Sequence, residues 1–139
     1  MPSLSSVRFA SWLLQALPTA FLATLFLQSG IDKVIDFRGN QGYLTQHFGN
    51  SPLRGAVTPM LVTLTIIEVS AGVLCGVGLV ELVVLGVARI AFWGIAVAAT
   101  AFLALFFGQR IAKDYNGAAV LPAYFLVALV GLWFTRPLH

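Results

Sequence analysis

The chain has 139 residues, 59% hydrophobic and 9% charged, with a mean hydropathy of +0.92. A soluble domain carries about 25% charged residues, and eight basic plus five acidic side chains cannot coat a core of this size. The same figures exclude a disordered chain, which needs low hydrophobicity. The net charge of +3 is scattered and interleaved with acids, so no nucleic acid is expected as a partner. An integral membrane protein in a lipid bilayer remains.

A helical span needs about 20 apolar residues, and the sequence offers four such runs, about 9–30, 57–80, 82–107 and 118–135. The runs are continuous rather than alternating, which favours helices over a membrane barrel. The expected fold is therefore all-α, a four-helix transmembrane bundle forming one integral membrane domain. The first run contains Pro18, a candidate kink. It is too long for a signal core, and no small-x-small cleavage site follows it, so it reads as a retained span.

The segment from Ile31 to Ala56 is the longest connection. Within it Tyr43, Leu44, His47 and Phe48 recur at helical spacing, which predicts a short interfacial helix. Ser51-Pro52 then breaks it. The second and third runs are joined by almost nothing around Leu79 to Leu82, which forces an antiparallel hairpin. The third run is predicted to continue past the lipid to Asn116, carrying an Arg110–Asp114 i,i+4 pair and stopping at Asn116-Gly117.

Four spans place both termini on one side, here called face A, and the two longer loops on the opposite face B. Face B collects Asp32, Lys33, Asp36, Arg38, His47, Arg54, Arg110, Lys113 and Asp114. Face A holds Arg8, Glu81 and Arg136. The excess of Lys and Arg on face B predicts that the longer loops are cytoplasmic.

Glu68 lies near the centre of the second run, where a charge costs about 2.5–3.5 kcal/mol on insertion scales. It must face the bundle interior, either protonated or paired. It reads equally well as a proton- or ligand-binding carboxylate and as a hydrogen-bonding anchor between helices. Arg89 is its expected partner. With the hairpin turn near residue 80, the two differ in depth by about 5 Å at 1.5 Å per residue; the competing reading has Arg89 snorkelling to face A.

Gln28, Asp32 and Asp36 recur at i, i+4 and i+8. With Lys33, Gln109, Arg110 and Asp114 they form either a polar vestibule at face B or an ordinary charged membrane border. Gly72-x-x-x-Gly76, and the series Ala96, Thr100, Ala104 and Gly108, are candidate helix-packing stripes. Trp12, Trp133 and Tyr115 lie near span ends, as interfacial aromatics do.

Cys75 is the single cysteine, and the two histidines are His47 and His139. These supply no dithiol, no pair of in-span haem ligands and no zinc or iron–sulfur set. No intrinsic metal or cofactor is expected, and any electron transfer would need a partner or a bound quinone.

The segments LFLQSGIDKVIDF, IIEVSAGVLCGVGL and FFGQRIAKDYNG together resemble the DoxX family of small four-helix bacterial membrane proteins. Gly30 and Lys33 match the family's first-helix element. Glu68, Gly72, Gly76 and Gly78 match the acidic, glycine-rich second helix. The likeness covers about residues 9–135, and the chain lacks the glycine-rich C-terminal tail of some members. The resemblance implies a multi-pass protein of the bacterial cytoplasmic membrane, linked by the family name to thiosulfate:quinone oxidoreduction.

Three functions are compatible with these residues. The first is a non-catalytic accessory subunit of a redox-linked membrane complex, with other subunits or a second copy of the chain as partners. The second is a quinone-linked oxidoreductase subunit whose quinone or lipid site uses Gln28, Lys33, Glu68 and Gln109. The third is a small transporter or proton path centred on Glu68.

Overall fold

The computed structural model describes residues 7–52 and 54–137; the Arg54 side chain and His139 lie outside what is described. The described residues form helices without strands. Four of these helices are long and apolar enough to span a membrane: Val7–Ile35, Val57–Leu85, Arg89–Ile111 and the combined Tyr115–Thr135. The chain is thus an integral membrane protein built as an all-α bundle. In chain order the α-helices are α1 (Val7–Ile35), α2 (Phe37–His47), α3 (Val57–Leu85), α4 (Arg89–Ile111), α5 (Tyr115–Ala119) and α6 (Leu121–Thr135), with a 3₁₀ turn at Arg54–Ala56.

Helices win here because no water reaches the hydrocarbon, so each backbone polar group must be satisfied within its own segment. The bundle buries small and branched residues around a central pair of phenylalanines and leaves many other large apolar side chains outside. Leu22, Phe26, Ala71, Cys75, Ile95, Ala98, Phe102 and Ala128 share one core, while Ile66, Trp93, Leu103, Phe107, Leu126 and Trp133 face outward. That outward pattern is what lipid requires and water would not tolerate.

The helices alternate in direction, and neighbours run α1–α3–α4–α6, closing back on α1. Phe26 of α1 meets Phe102 of α4 across the centre, ring centroids 4.9 Å apart. Glycines set the close approaches. A Cβ on Gly72 would lie 2.8 Å from the Leu27 backbone nitrogen, and one on Gly30 would lie 2.9 Å from Val69. On the α3–α4 seam the same holds for Gly78 against Ala91 (2.5 Å) and Gly94 against Cys75 (2.7 Å). Packing between membrane helices depends on such contacts because lipid provides little hydrophobic drive for association.

Two expected stripes divide differently from their prediction. Gly72 is a contact glycine, but a Cβ on Gly76 would meet only a Leu27 methyl at 3.7 Å, an ordinary contact. Thr100 and Ala104 are exposed, and Ala96 and Gly108 are half-buried. The face of α4 that packs is Ala91, Gly94, Ile95, Ala98, Ala101 and Phe102. Spacing alone could not separate two small-residue faces of one helix.

The hairpin also differs. α3 does not stop near residue 80; it continues to Leu85 and ends where Gly86 adopts φ 72°, its N–H donating to the Glu81 and Leu82 carbonyls. Left-handed backbone at this cap position suits glycine. Glu81, read from sequence as a loop residue, lies in the last turns of α3. Its Oε1 accepts from the Ile90 N–H at 3.1 Å and its Oε2 from Arg89 Nη2 at 3.1 Å, so it caps the start of α4.

At the other end of α4 the helix stops at Ile111 rather than Asn116. Lys113 turns with φ 61°, and Asp114 N–H closes back on the Gln109 carbonyl at 2.9 Å. Asn116-Gly117 lies inside α5, which Asp114 caps through the Gly117 N–H. α1 passes through Pro18 without interruption, and Pro18 packs against Gly131 of α6.

Overpacking a closed seam costs about 1–3 kcal/mol or more. Gly78→Val is therefore expected to lower thermal stability in detergent clearly, whereas Gly76→Ala should leave it within about 0.5 kcal/mol. Equal loss from both substitutions would contradict the seam described here.

Candidate functional site

The most buried charge in the described structure belongs to Glu68, 2% exposed. It lies on the α1 side of α3. Lys33, 14% exposed, places Nζ 2.8 Å from Glu68 Oε2. Ser29 Oγ donates to the same carboxylate oxygen at 2.8 Å and accepts from Lys33 Nζ at 2.9 Å. The three groups close a triangle in which each hydrogen bond involves an ionised partner, and such bonds are stronger than neutral ones. Ser29 and Lys33 share a face because they are four residues apart on α1. The adjacent glycine contacts, Gly30 on Val69 and Gly72 on Leu27, bring the two helices close enough for the triangle to form.

This arrangement corrects the expected Glu68–Arg89 pair. Arg89 begins α4 at face A, is 78% exposed, and bonds to Glu81. The extension of α3 to Leu85 is the reason: Glu68 lies seventeen residues from that end, about 26 Å along the helix, far beyond an Arg side chain. Glu68 lies three residues to the face-B side of the middle of α3. Trp12 Nε1 donates to the Leu82 carbonyl near face A at 2.9 Å. Glu68 lies fourteen residues before Leu82, about 21 Å toward face B, in a hydrocarbon layer about 30 Å thick. Lys33, two residues before the end of α1, meets it there.

The expected polar vestibule separates into an outer rim and two inner clusters. Gln28, Asp32 and Asp36 are exposed; Asp32 accepts from Asn40 Nδ2 at 3.4 Å, and Asp36 caps α2 through the Gly39 N–H. They form an exposed polar rim. The inward face of α1 is one position further round, at Ser29 and Lys33. The expected Arg110–Asp114 pair is absent among the contacts described: Arg110 lies over the Tyr115 ring, 4.4 Å from its centroid.

Asp114 instead faces His47, with Oδ2 3.5 Å from Nε2. The same His47 Nε2 lies 2.8 Å from Gln109 Oε1, a geometry in which the ring N–H donates to the amide oxygen. Tyr43 stacks on the His47 ring, and Phe48 meets it edge-on. Gln41 Nε2 donates to Thr58 Oγ1 at 2.7 Å. The interfacial helix α2 is thereby tied to α3 through Gln41 and to α4 through His47.

Beneath α2, between α3 and α4, lies a cleft of about 420 Å³. Met60, Thr63, Leu64, Ile67, Ala104 and Leu105 form its walls, and Tyr43, His47, Phe48 and Gln109 its face-B end. Of the residues expected to form a quinone site, only Gln109 borders it. Among the described residues no group of three His, Cys, Asp or Glu side chains converges as a metal site would require. The sequence reading passed over Ser29 and the His47–Gln109 bond, and it placed Glu81 in a loop with no role. The i,i+4 spacing of Ser29 and Lys33 was the available signal for the first.

Comparison with protein-family models, with curated proteins and with solved structures returned no match.

Removing one partner of a buried ion pair strands the other charge and costs about 3–5 kcal/mol, whereas replacing both by apolar residues is often neutral. Glu68→Leu alone should therefore destabilise the detergent-solubilised protein by about 3 kcal/mol, and Lys33→Met with Glu68→Leu should recover most of that loss. Additive losses in the double variant would show that the pair is not the clasp between α1 and α3.

Proposed function

We propose that the chain is a DoxX-like protein of the bacterial cytoplasmic membrane that serves as a non-catalytic accessory subunit of a redox-linked complex, with face B in the cytoplasm. The observation that carries this reading is how the ionisable groups within the bundle are used. Glu68 is held by Lys33 and Ser29, and Glu81 by Arg89 and the Ile90 N–H. Among the described residues no buried side-chain nitrogen or oxygen lacks a hydrogen-bond partner. Groups so engaged stabilise helix contacts and are poorly placed to shuttle protons or electrons. The outer surface meanwhile presents Trp93, Leu103 and Phe107 to lipid or to a neighbouring subunit.

The two elements that carry the family resemblance lie against each other. Gly30 and Lys33 from the first lie against Val69 and Glu68, beside Gly72 of the second. A pattern distributed over two helices is then one seam.

The quinone-linked reading is favoured by a different feature, the face-B cleft with Gln109 and His47 at its end. The reading as a proton path finds little support, since a conducting carboxylate would need to exchange partners that Glu68 holds at 2.8 Å.

Blue-native electrophoresis of gently solubilised native membranes tests the leading reading. The chain is expected in a band well above its 14.9 kDa mass, with other membrane proteins identified in that band by mass spectrometry. Migration only as the free chain would overturn it. In liposomes, Glu68→Gln is expected to leave proton flux at the level of the unsubstituted protein; a clear fall in flux would favour the proton path.

A further inference from the structure

The face-B end of the cleft is fastened by a contact whose strength depends on a proton. His47 lies in the last turn of α2. Its Nε2 is 2.8 Å from Gln109 Oε1, a hydrogen bond that a neutral ring supplies in its Nε2–H tautomer. The same nitrogen is 3.5 Å from Asp114 Oδ2, and the two side chains are 17% and 29% exposed. That separation is too long for a good N–H···O bond but close enough for opposite charges to attract. The second contact therefore contributes little with a neutral imidazole and more with an imidazolium.

The acceptors are positioned without help from α2. The Asp114 N–H closes on the Gln109 carbonyl at 2.9 Å, and Asp114 Oδ1 accepts from the Gly117 N–H at 2.9 Å, which leaves Oδ2 to face His47. Gln109 and Asp114 thus form one corner between α4 and α5. The cations on that corner point elsewhere: Arg110 lies over the Tyr115 ring, and Lys113 is exposed without an ion pair among the described residues. From its own segment His47 meets Tyr43 and Phe48. α3 brings Pro59, Met60 and Thr63 to the cleft, none of them ionisable at neutral pH. Among the described residues, Asp114 is the charged group within ion-pair distance of His47. A positive charge in the last turn of a helix is also favoured by the helix dipole. Both effects have the same sign, so a proton on His47 favours α2 helical and docked.

We propose that His47 is a proton-responsive latch. Protonated, it fastens the C-terminal end of α2 to the Gln109–Asp114 corner over the cleft; deprotonated, it holds α2 through Gln109 alone. Histidine takes up its proton as pH falls through about 6.5, while carboxylates ordinarily stay ionised above about pH 5. The cover over the cleft is therefore tighter near pH 5.5 than at pH 8. The other fastenings of α2, the Asp36 cap and the Gln41–Thr58 bond, involve no group that ordinarily titrates in this interval. The latch is a property of the chain itself and does not depend on its assembly into a complex.

Hydrogen–deuterium exchange of the full chain in phosphatidylcholine nanodiscs at pH 5.5, 6.5 and 8, corrected for the intrinsic pH dependence of exchange, tests this. The α2 amides are expected to be about three- to tenfold better protected at pH 5.5 than at pH 8, with α3 and α4 unchanged. His47→Gln keeps a donor for Gln109 without a charge, and Asp114→Asn keeps the α5 cap while removing the charge. Each should reduce the response of α2 to less than about twofold, and unchanged protection of α3 and α4 shows that the variant is folded. His139→Gln, at the second histidine, should keep the full response. Protection of α2 that is independent of pH, or weaker at pH 5.5, would overturn the proposal. So would a response that persists in folded His47→Gln or Asp114→Asn, or one that disappears in His139→Gln.

Discussion

A carboxylate buried in hydrocarbon must find a cation and hydrogen-bond donors, and much of this bundle's face-B half follows from how Glu68 does so. Lys33 and Ser29 both come from α1, one turn apart, and both meet the same oxygen of Glu68. For them to reach it, α1 and α3 must approach at backbone distance, which Gly30 and Gly72 permit on either side of the triangle. The charge and the glycines are therefore a single device. Without the glycines the cation could not reach the acid, and without the ion pair nothing would fix the register in which the glycines meet. A buried ion pair is weak evidence of net stability; its value here lies in specifying one register between two apolar helices that could otherwise slide.

The same logic operates at face A with different parts. Glu81 accepts from the Ile90 N–H in the first turn of α4 and holds Arg89 at the surface. Trp12 donates to the Leu82 carbonyl and Gln15 to the Phe134 carbonyl, joining α1 to the ends of α3 and α6. Each of these bonds satisfies, or is added to, a backbone group near a helix end, where intrahelical partners run out. Polar contacts thus mark the two ends of the bundle, and shape complementarity between glycines, alanines and Phe26–Phe102 fills the space between.

The number, order and approximate limits of the spans were legible in the sequence because hydrophobic run length is a one-dimensional signal. The interfacial helix was legible because Tyr43, Leu44, His47 and Phe48 keep helical spacing. What failed was rotation and termination. Gln28 and Ser29 differ by about 100° around a helix, and nothing local says which of them faces inward; only the partner helix decides. Glu81 was misplaced because a charged residue beside Gly78 looks like a turn, whereas the terminating residue is Gly86, whose left-handed conformation closes α3. That five-residue error in the turn carried Arg89 from the surface into an expected pair with Glu68.

Among the described α-helices, α2 alone has no buried residue of its own. It is too short and too polar to be held by the hydrophobic effect, and isolated helices of its length are marginal. Its position depends on the Asp36 cap at one end and on two side-chain bonds, Gln41 to Thr58 and His47 to Gln109, to different helices. Just past its end, Phe48 is buried against Gly108 and anchors the following turn. An element fastened at a few polar points over an apolar cleft is less firmly held than the helices beneath it, and local stability in proteins follows such differences in packing. The cover over the cleft is therefore held by a handful of hydrogen bonds, whereas the four long helices are held by close packing and by the Lys33–Glu68 clasp.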